Sequence, residues 1–484
     1  MLSAIVVGAG FSGLCAGIKL RDAGFTDFVI LEKAHGVGGT WRDNTYPGAA
    51  CDVPSHLYSY SFAPNPKWTR AYGQQPEILA YLEEVATRFA LRPHLRFGER
   101  VTSAVFDATR ACWRVTTEHE VLEARALILG NGALHVPAIP DLPGLARFGG
   151  ATFHSAAWNH AYELAGKRVA AIGTGASAIQ FVPEIAKVAR ELVVYQRTPP
   201  WILPKRDPAI GRRERWLYEH VPGAHWLRRA SLYWQMESRV IGFAYAPKVF
   251  ELLEPLVKRH LAREVLDPEL RRKLTPDYRF GCKRILISNE YYRALQRPNV
   301  TLETDPIAEI DATSVRTTSG VRREVDAIVF GTGFQISESI SALHVVGANG
   351  LVLDDVWQQT LRHYLGITVS GFPNMFLLMG PNTALGHNSM IFMIEAQVRY
   401  AVAALCAMRE RNLGALDVRP EVEAAFHAEL AERMTHTVWT TGCASWYQTT
   451  SGELFLWPAA TVDYWLRTRR IDLRDYATTP REAA

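Results

Sequence analysis

Two glycine-rich stretches in this chain have the residue types and spacing to hold dinucleotides. In AIVVGAGFSGLCAGIKL an apolar run leads into Gly8-x-Gly10-x-x-Gly13, and a helical pattern follows. Gly8 permits the tight turn, Gly10 lets a pyrophosphate approach the backbone, and Gly13 lets strand and helix pack closely. Ser12 sits in the same turn. FVILEK is a second apolar strand ending in Glu32, 19 residues after Gly13, where an acid accepts hydrogen bonds from ribose hydroxyls. KRVAAIGTGASAIQF repeats the pattern as Gly173-x-Gly175-x-x-Ala178, with Thr174, Ser177 and Gln180 alongside. Its next strand, ELVVYQ, runs to Arg197, again 19 residues on. A guanidinium is always charged and grips phosphate in a bidentate fork, so Arg197 suits a 2'-phosphate, and Thr198 adds a hydroxyl. One site is thus suited to FAD and the other to NADP(H). Two such sites in one chain imply electron transfer between them.

The elements around these turns predict an α/β fold with two Rossmann-like dinucleotide-binding domains, interleaved rather than in tandem. EILAYLEEVATRFA, residues 77 to 90, reads as an amphipathic helix. FDATRACWRVTTEHEVLEARALILGNG reads as strands and a hairpin ending in Gly-Asn-Gly. AIPDLPG near residue 140 is a Pro/Gly linker, and VDAIVFGTGF is a strand ending at Gly331-Thr332-Gly333. Residues 203 to 282 carry helical stretches rich in Trp, Tyr and Arg. The expected division is 1–140 with 336–484 for a discontinuous FAD domain, 141–202 with 283–335 for the NADP domain, and 203–282 as a helical insertion in the latter.

The 484 residues suffice for two or three well-buried domains, and 48% hydrophobic with 21% charged residues is an ordinary globular balance. A formal charge of +4, with no long basic run, argues against nucleic acid. None of the six cysteines forms a CxxC pair, so neither a zinc site nor a sequence-local redox disulfide is expected, and that usage fits a reducing cytoplasm. Met1 leads almost directly into an apolar strand without a basic region, so no secretory signal is expected. No uninterrupted apolar run reaches the ~18 residues of a membrane span. No integral membrane segment is expected, although a peripheral membrane contact stays open, as does the oligomeric state.

Two further stretches carry candidate chemistry. GGTWRDNTYPGAACD, residues 38 to 52, has glycines for close cofactor approach, the flat face of Trp41 and an acid, Asp52, at its end. FGCKRILISNEYYRALQRPNV, residues 280 to 300, places Lys283 beside Arg284 where the insertion closes.

The resemblance becomes specific at FGGATFHSAAWN, just before the second fingerprint. Phe148-x-Gly150-x-x-x-His154-x-x-x-Trp158 resembles the signature of type I Baeyer–Villiger monooxygenases. The Gly39, Trp41, Tyr46, Pro47, Asp52 series, the YQRTP and Cys-Lys-Arg segments, and GCASWY near the C-terminus are similar to that family too. Asn159 departs from the Pro or Asp usual after the Trp, whereas Trp158 itself separates the chain from the related flavin-containing monooxygenases, which commonly carry Tyr or Phe there.

The resemblance implies an enzyme that uses FAD, NADPH and O2, forms a flavin C4a-peroxide, and converts ketones to esters or lactones, oxidising sulfides as well. It implies that Arg284 is the cation beside the reacting oxygen and that Asp52 orients it. It implies that Gly39, Thr40, Trp41, Asp52, Tyr58, the Val101 backbone and the Met390 backbone contact FAD. Lys283 becomes a second 2'-phosphate contact beside Arg197 and Thr198. Trp446 resembles a residue near the nicotinamide ribose, a core tryptophan being its other reading. His154 is read as organising domain movement and not as a base. The rival is a flavin-containing monooxygenase acting on amine N or sulfide S. A two-dinucleotide disulfide reductase lacks a redox cysteine pair with local spacing, and a non-catalytic flavoprotein would have no use for Arg284 and Asp52.

Overall fold

The computed structural model describes residues 1–335, 343–443, 447–448 and 452–481. Two parallel-cored sheets carry the two fingerprints. The first is eight-stranded and contains β1 (Leu2–Val7), β2 (Phe28–Glu32), β3 (Leu95–Phe97), β4 (Val101–Asp107), β5 (Cys112–Thr117) and β6 (Val121–Leu129), joined by the short strands Val345–Val346 and Met375–Leu377. β1 lies between β2 and β6 and is parallel to both. β2 is buried along its whole length, as expected of a parallel strand covered on both faces. β4, β5 and β6 form an antiparallel meander, which is the predicted hairpin region.

The second sheet has the order β10-β9-β8-β11-β7, all parallel. Its strands are β7 (Ala151–His154), β8 (Arg168–Ile172), β9 (Glu191–Tyr195), β10 (Val300–Glu303) and β11 (Ala327–Phe330). The family-like signature therefore lies on an edge strand. Gly150 is required there: a Cβ would stand 2.4 Å from the Asp326 carbonyl oxygen and 2.6 Å from the Phe148 ring. Trp158 packs edge-on to Phe153 at 5.1 Å and against Phe181, closing the core under this sheet.

Seven helices matter below: α1 (Phe11–Asp22), α2 (Ala178–Val188), α3 (Arg212–His220), α4 (Ala224–Glu237), α5 (Lys248–Glu264), α6 (Met390–Glu410) and α7 (Thr461–Thr468). The predicted helix at 77–90 is observed as Gln75–Arg88. α6, with 21 residues, is the one described helix long and apolar enough by composition to cross a membrane, despite Glu395 and Arg399. Most of it is buried in the core it shares with α1.

Candidate active site between the two nucleotide folds

Each fingerprint turn presents a helix start with no side-chain cap. Gly10 precedes α1 and Ser177 precedes α2, and neither supplies a capping hydrogen bond. The first backbone N–H groups of α1 are thus available to an anion, whereas in α2 Ile179 N and Gln180 N already donate to the Gly175 and Ser177 carbonyls at 3.1 Å each, which leaves Ala178 N. In the first turn the glycines are steric requirements. A Cβ on Gly13 would lie 1.8 Å from the Gly8 carbonyl oxygen, and one on Gly8, at φ +95°, would lie 2.7 Å from that of Gly130. Gly10 and Gly39 face each other as bare backbone, a Cβ on Gly39 falling 3.3 Å from the Gly10 Cα. That cradle, with uncapped amides above it, fits a dinucleotide pyrophosphate. In the second unit Ala178 replaces the third glycine, and Gly331 opposite leaves room for its methyl: a Cβ at 331 would come within 3.1 Å of that of Ala178.

The two strand ends differ in burial and in partners. Glu32 is buried and accepts from Ala9 N (2.9 Å) and Ala34 N (3.0 Å), and it pairs with Arg42 at 3.2 Å. It therefore fixes the fingerprint loop, and Arg42 is a site residue that spacing did not reveal. Val101 opens β4 close by, since Glu99 N donates to the Glu32 carbonyl at 3.0 Å. Arg197 is exposed at the end of β9. Lys283 is its electrostatic neighbour; partial burial and the Arg197 charge push the Lys283 ammonium below its usual pKa. Lys283 Nζ also sits 4.6 Å from the Tyr278 ring centroid. The Thr198 carbonyl accepts from Thr174 Oγ1 at 3.0 Å, tying the strand end to the fingerprint turn. Two cations around an open strand end fit a 2'-phosphate.

Thr40 opens a short helix, Thr40–Asp43, whose Trp41 donates from Nε1 to Tyr58 Oη at 3.0 Å. Phe11, Trp41 and Tyr58 stand edge-to-face, at 5.2 Å for Phe11–Tyr58 and 5.6 Å for Trp41–Tyr58. Burial pushes the Tyr58 phenol well above its usual pKa, so it stays protonated. Met390 begins α6 behind the cap residue Ser389, and Ser12 is buried in the first turn of α1.

The segment from 40 to 52 crosses from one unit to the other. Tyr46 and Ala49 are buried in the core of the second unit, whereas Cys51 is buried in that of the first. Gln180 of α2 anchors the crossing: its Oε1 accepts from Tyr46 Oη (2.9 Å) and Ala50 N (3.3 Å), and its Nε2 donates to the Ala50 carbonyl (2.9 Å). Gln180, expected from its place in the fingerprint to meet the nucleotide, also has its amide engaged with protein at both ends.

The crossing brings Asp52 to Arg284. Arg284 donates to Asp52 Oδ2 from Nε at 3.0 Å and Nη2 at 2.5 Å. Both side chains keep nearly a third of their surface open, 31% and 29%. The Asp52 carboxylate raises the already high pKa of the guanidinium. Burial opposes ionisation of Asp52, but the charge and hydrogen bonds of Arg284 prevail and hold it below the usual carboxylate range. Arg284 also hydrogen-bonds Tyr447, another residue that spacing did not reveal. Lys205 is a further cation in the electrostatic surroundings of Asp52. Local backbone holds Arg284 in place: Leu286–Ile287 pairs with Ile202–Leu203, and Gly281, at φ +89°, admits the Phe250 ring where a Cβ would not fit.

Beside this pair Cys282 is joined to Cys443 by a disulfide spanning 161 residues. The absence of a local cysteine pair in the sequence did not anticipate it. Trp446 lies outside the described residues. His154 is buried, its imidazole kept below its usual pKa by burial, and Nδ1 accepts from Ala156 N at 3.1 Å. Among the described residues no group of three or more His, Cys, Asp or Glu is placed to hold a metal ion.

Fold and site together define a flavoprotein with two dinucleotide folds and a buttressed cation between them. Residues 5–213 match the family described as pyridine nucleotide-disulphide oxidoreductase. Over 477 residues the chain is 47% identical to a Baeyer–Villiger monooxygenase of Streptomyces coelicolor, covering 97% of this chain and 91% of that protein. Among solved structures it is similar to an oxidised steroid monooxygenase bound to NADP, with a TM-score of 0.89, 32% identity and 99% of each chain covered. It is also similar to OTEMO in complex with FAD and NADP, at a TM-score of 0.89 and 25% identity over 99% of each chain. The chain belongs to the Baeyer–Villiger monooxygenases.

Proposed function

We propose that this protein, an FAD- and NADPH-dependent Baeyer–Villiger monooxygenase, converts ketones to esters or lactones and also oxidises sulfides. The reaction balances as ketone, O2, NADPH and a proton giving ester, NADP⁺ and water. The bound flavin, once reduced, supplies the activated oxygen. Residues 1–140 and 336–484 would hold FAD, through the Gly8–Gly13 turn, Glu32, the 39–41 segment, Tyr58, Val101 and Met390. Residues 141–202 and 283–335 would hold NADPH, through the Gly173–Ala178 turn, Arg197, Thr198 and Lys283. Residues 203–282 would form a helical insertion in the NADPH-binding unit.

The observation that carries the reading is Arg284 held by Asp52 where the two folds meet. Carbonyl attack by an oxygen nucleophile creates an oxyanion, and the reagent itself works as an anion. Arg284 offers fixed positive charge to both, and its orientation is set beforehand by Asp52, so little reorganisation is needed. Arginine suits the task because it does not lose its proton at working pH. The test is product mass from a ketone panel with NADPH oxidation and oxygen uptake recorded together. An ester heavier than its ketone by one oxygen supports the proposal. N- or S-oxides with no ester from any ketone would move the protein to the flavin-containing monooxygenase chemistry.

A further inference from the structure

The insertion carries an outward apolar surface that the oxygenation chemistry does not use. α5 buries Phe250, Val257 and Leu261 against the protein. Its other side repeats apolar residues at i, i+3, i+4 and i+7: Val249, Leu252, Leu253 and Leu256, all exposed, with Leu252 at 77%. A surface helix of a globular protein needs one apolar stripe, and this helix has two. α4 exposes Trp226, Leu227 and Trp234, the two tryptophans at 67% and 60%. α3 adds the exposed Trp216 and Leu217, and it meets α4 where Tyr218 stands edge-on to His225. Ile241 and Tyr245 follow Trp234 by seven and eleven residues and are exposed too.

The surface continues onto α7. Tyr245 Oη accepts from Ala460 N at 3.0 Å, and Tyr233 Oη shares a hydrogen bond with Thr461 Oγ1 at 2.9 Å. These contacts join the insertion to the start of α7, whose Val462, Trp465 and Leu466 are exposed. Patches this extensive mark an interaction site.

Charge selects the partner. Residues 212–264 hold ten Lys and Arg against six Asp and Glu, a balance of +4 that equals the whole chain's, so all remaining residues together are neutral. Glu237 is buried and Arg229 turns inward to donate to the His56 and Ser59 carbonyls, so the outward balance remains +4. A second copy docking through a two-fold contact would set this positive surface against itself. Exposed Trp and Tyr beside Leu, interspersed with Arg and Lys, are the composition of a helix face lying at the headgroup boundary of an anionic bilayer. We propose that α3, α4, α5 and α7 form a peripheral contact with an anionic lipid membrane. The contact does not depend on the oxygenation chemistry assigned above.

Flotation of the holoenzyme with vesicles of about three parts phosphatidylcholine to one part phosphatidylglycerol tests this. We expect most of the protein to float with these vesicles, less with phosphatidylcholine alone, and less again at high salt. The triple variant W226S/L252S/L256S should lose at least about tenfold in partitioning while keeping its NADPH oxidation rate. Quenching of tryptophan fluorescence by brominated lipid should fall with it. Holoenzyme that stays unbound with both vesicles overturns the proposal, as does a triple variant that binds like the parent. A dimer in solution that the triple substitution dissociates, with no flotation of the parent, would assign the surface to a second copy instead.

Discussion

Arg284 points two of its nitrogens at one oxygen of Asp52, across 232 residues of sequence and between two nucleotide folds. Both hydrogen bonds go to Oδ2. The arrangement fixes the arginine while leaving part of its surface open, which is what a positioned cation beside a reacting oxygen requires.

Arg284→Lys keeps a charge but loses the planar fork. We expect ester formation to fall by about 10²–10³-fold, the range measured for loss of one oxyanion donor. NADPH oxidation should continue, with oxygen released as peroxide. Asp52→Asn should give the smaller loss, because the cation remains and only its orientation suffers. Coupling of NADPH consumed to ester formed reads both. Equal coupling in parent and Arg284→Lys would remove Arg284 from the chemistry. The pair also sets an acid limit. A carboxylate whose pKa is depressed on folding stabilises above its unfolded pKa and loses that contribution as pH falls through the folded value. Asp52 lies below its usual range, so this contribution persists through neutral and mildly acidic pH and disappears only below about pH 4.

Arg197 and Lys283 are close enough for the charge of one to depress the pKa of the other. A dianionic phosphate between them would relieve that repulsion, so each should favour NADPH. Arg197→Ala should raise the KM for NADPH by about 10–100-fold, the loss of one or two charge-assisted hydrogen bonds, and leave the KM for NADH nearly unchanged. Steady-state kinetics with both nucleotides decides it. An unchanged preference would mean that the 2'-phosphate is read elsewhere.

Gly13 and Ala178 occupy the same place in the two fingerprints, but only one place has room. The Gly13 Cβ would fall 1.8 Å from backbone, whereas the methyl of Ala178 faces Gly331. Gly13→Ala should therefore yield protein that purifies without yellow colour, or that unfolds, at a cost of roughly 3 kcal/mol or more. Ala178→Gly should keep turnover within about threefold, since only a methyl and some helix propensity are lost. Flavin absorbance per protein gives the answer for the first and NADPH turnover for the second.

The fingerprints and their strand ends were legible because each rests on about thirty consecutive residues with a fixed period. The helix near residues 77–90 and the meander after residue 101 were legible for the same reason: local patterning governs them. The meeting of Asp52 and Arg284 was not readable from spacing, and resemblance alone suggested it. Arg42, Tyr447 and Lys205 escaped because their partners are set by tertiary packing. The hydrogen bonds of Gln180 to Tyr46 and Ala50 escaped for the same reason, since only the chain crossing brings those partners near.

Asp417 tests burial against charge away from the site. Burial raises its pKa to about 6, although Gly371 N donates to it. An acid with a raised folded pKa binds its proton more tightly when folded. Its ionisation therefore costs stability progressively as pH rises from about 4 to about 6, and the cost stays above that range. Asp417→Asn removes the ionisation and keeps an acceptor. The variant should gain on the parent by about 2–3 kcal/mol between pH 4 and pH 7. Melting curves of both proteins at the two pH values measure it. A stability difference that does not change with pH would show that Asp417 titrates normally.

The Cys282–Cys443 disulfide ends two residues before Arg284 and four before Tyr447, so it ties both partners of one hydrogen bond to each other by a second route. Cys15, Cys51, Cys112 and Cys406 are free. Denatured protein should therefore show four reactive thiols without reductant and six with it. Replacing both bonded cysteines with serine should lower stability by about 2–4 kcal/mol under oxidising conditions, because the closed loop is long. It should change little when excess reductant is present for parent and variant alike. Six thiols without reductant in freshly purified protein would show that the two sulfurs stay reduced, as is usual in a reducing compartment, and that hydrogen bonding alone holds Tyr447 to Arg284.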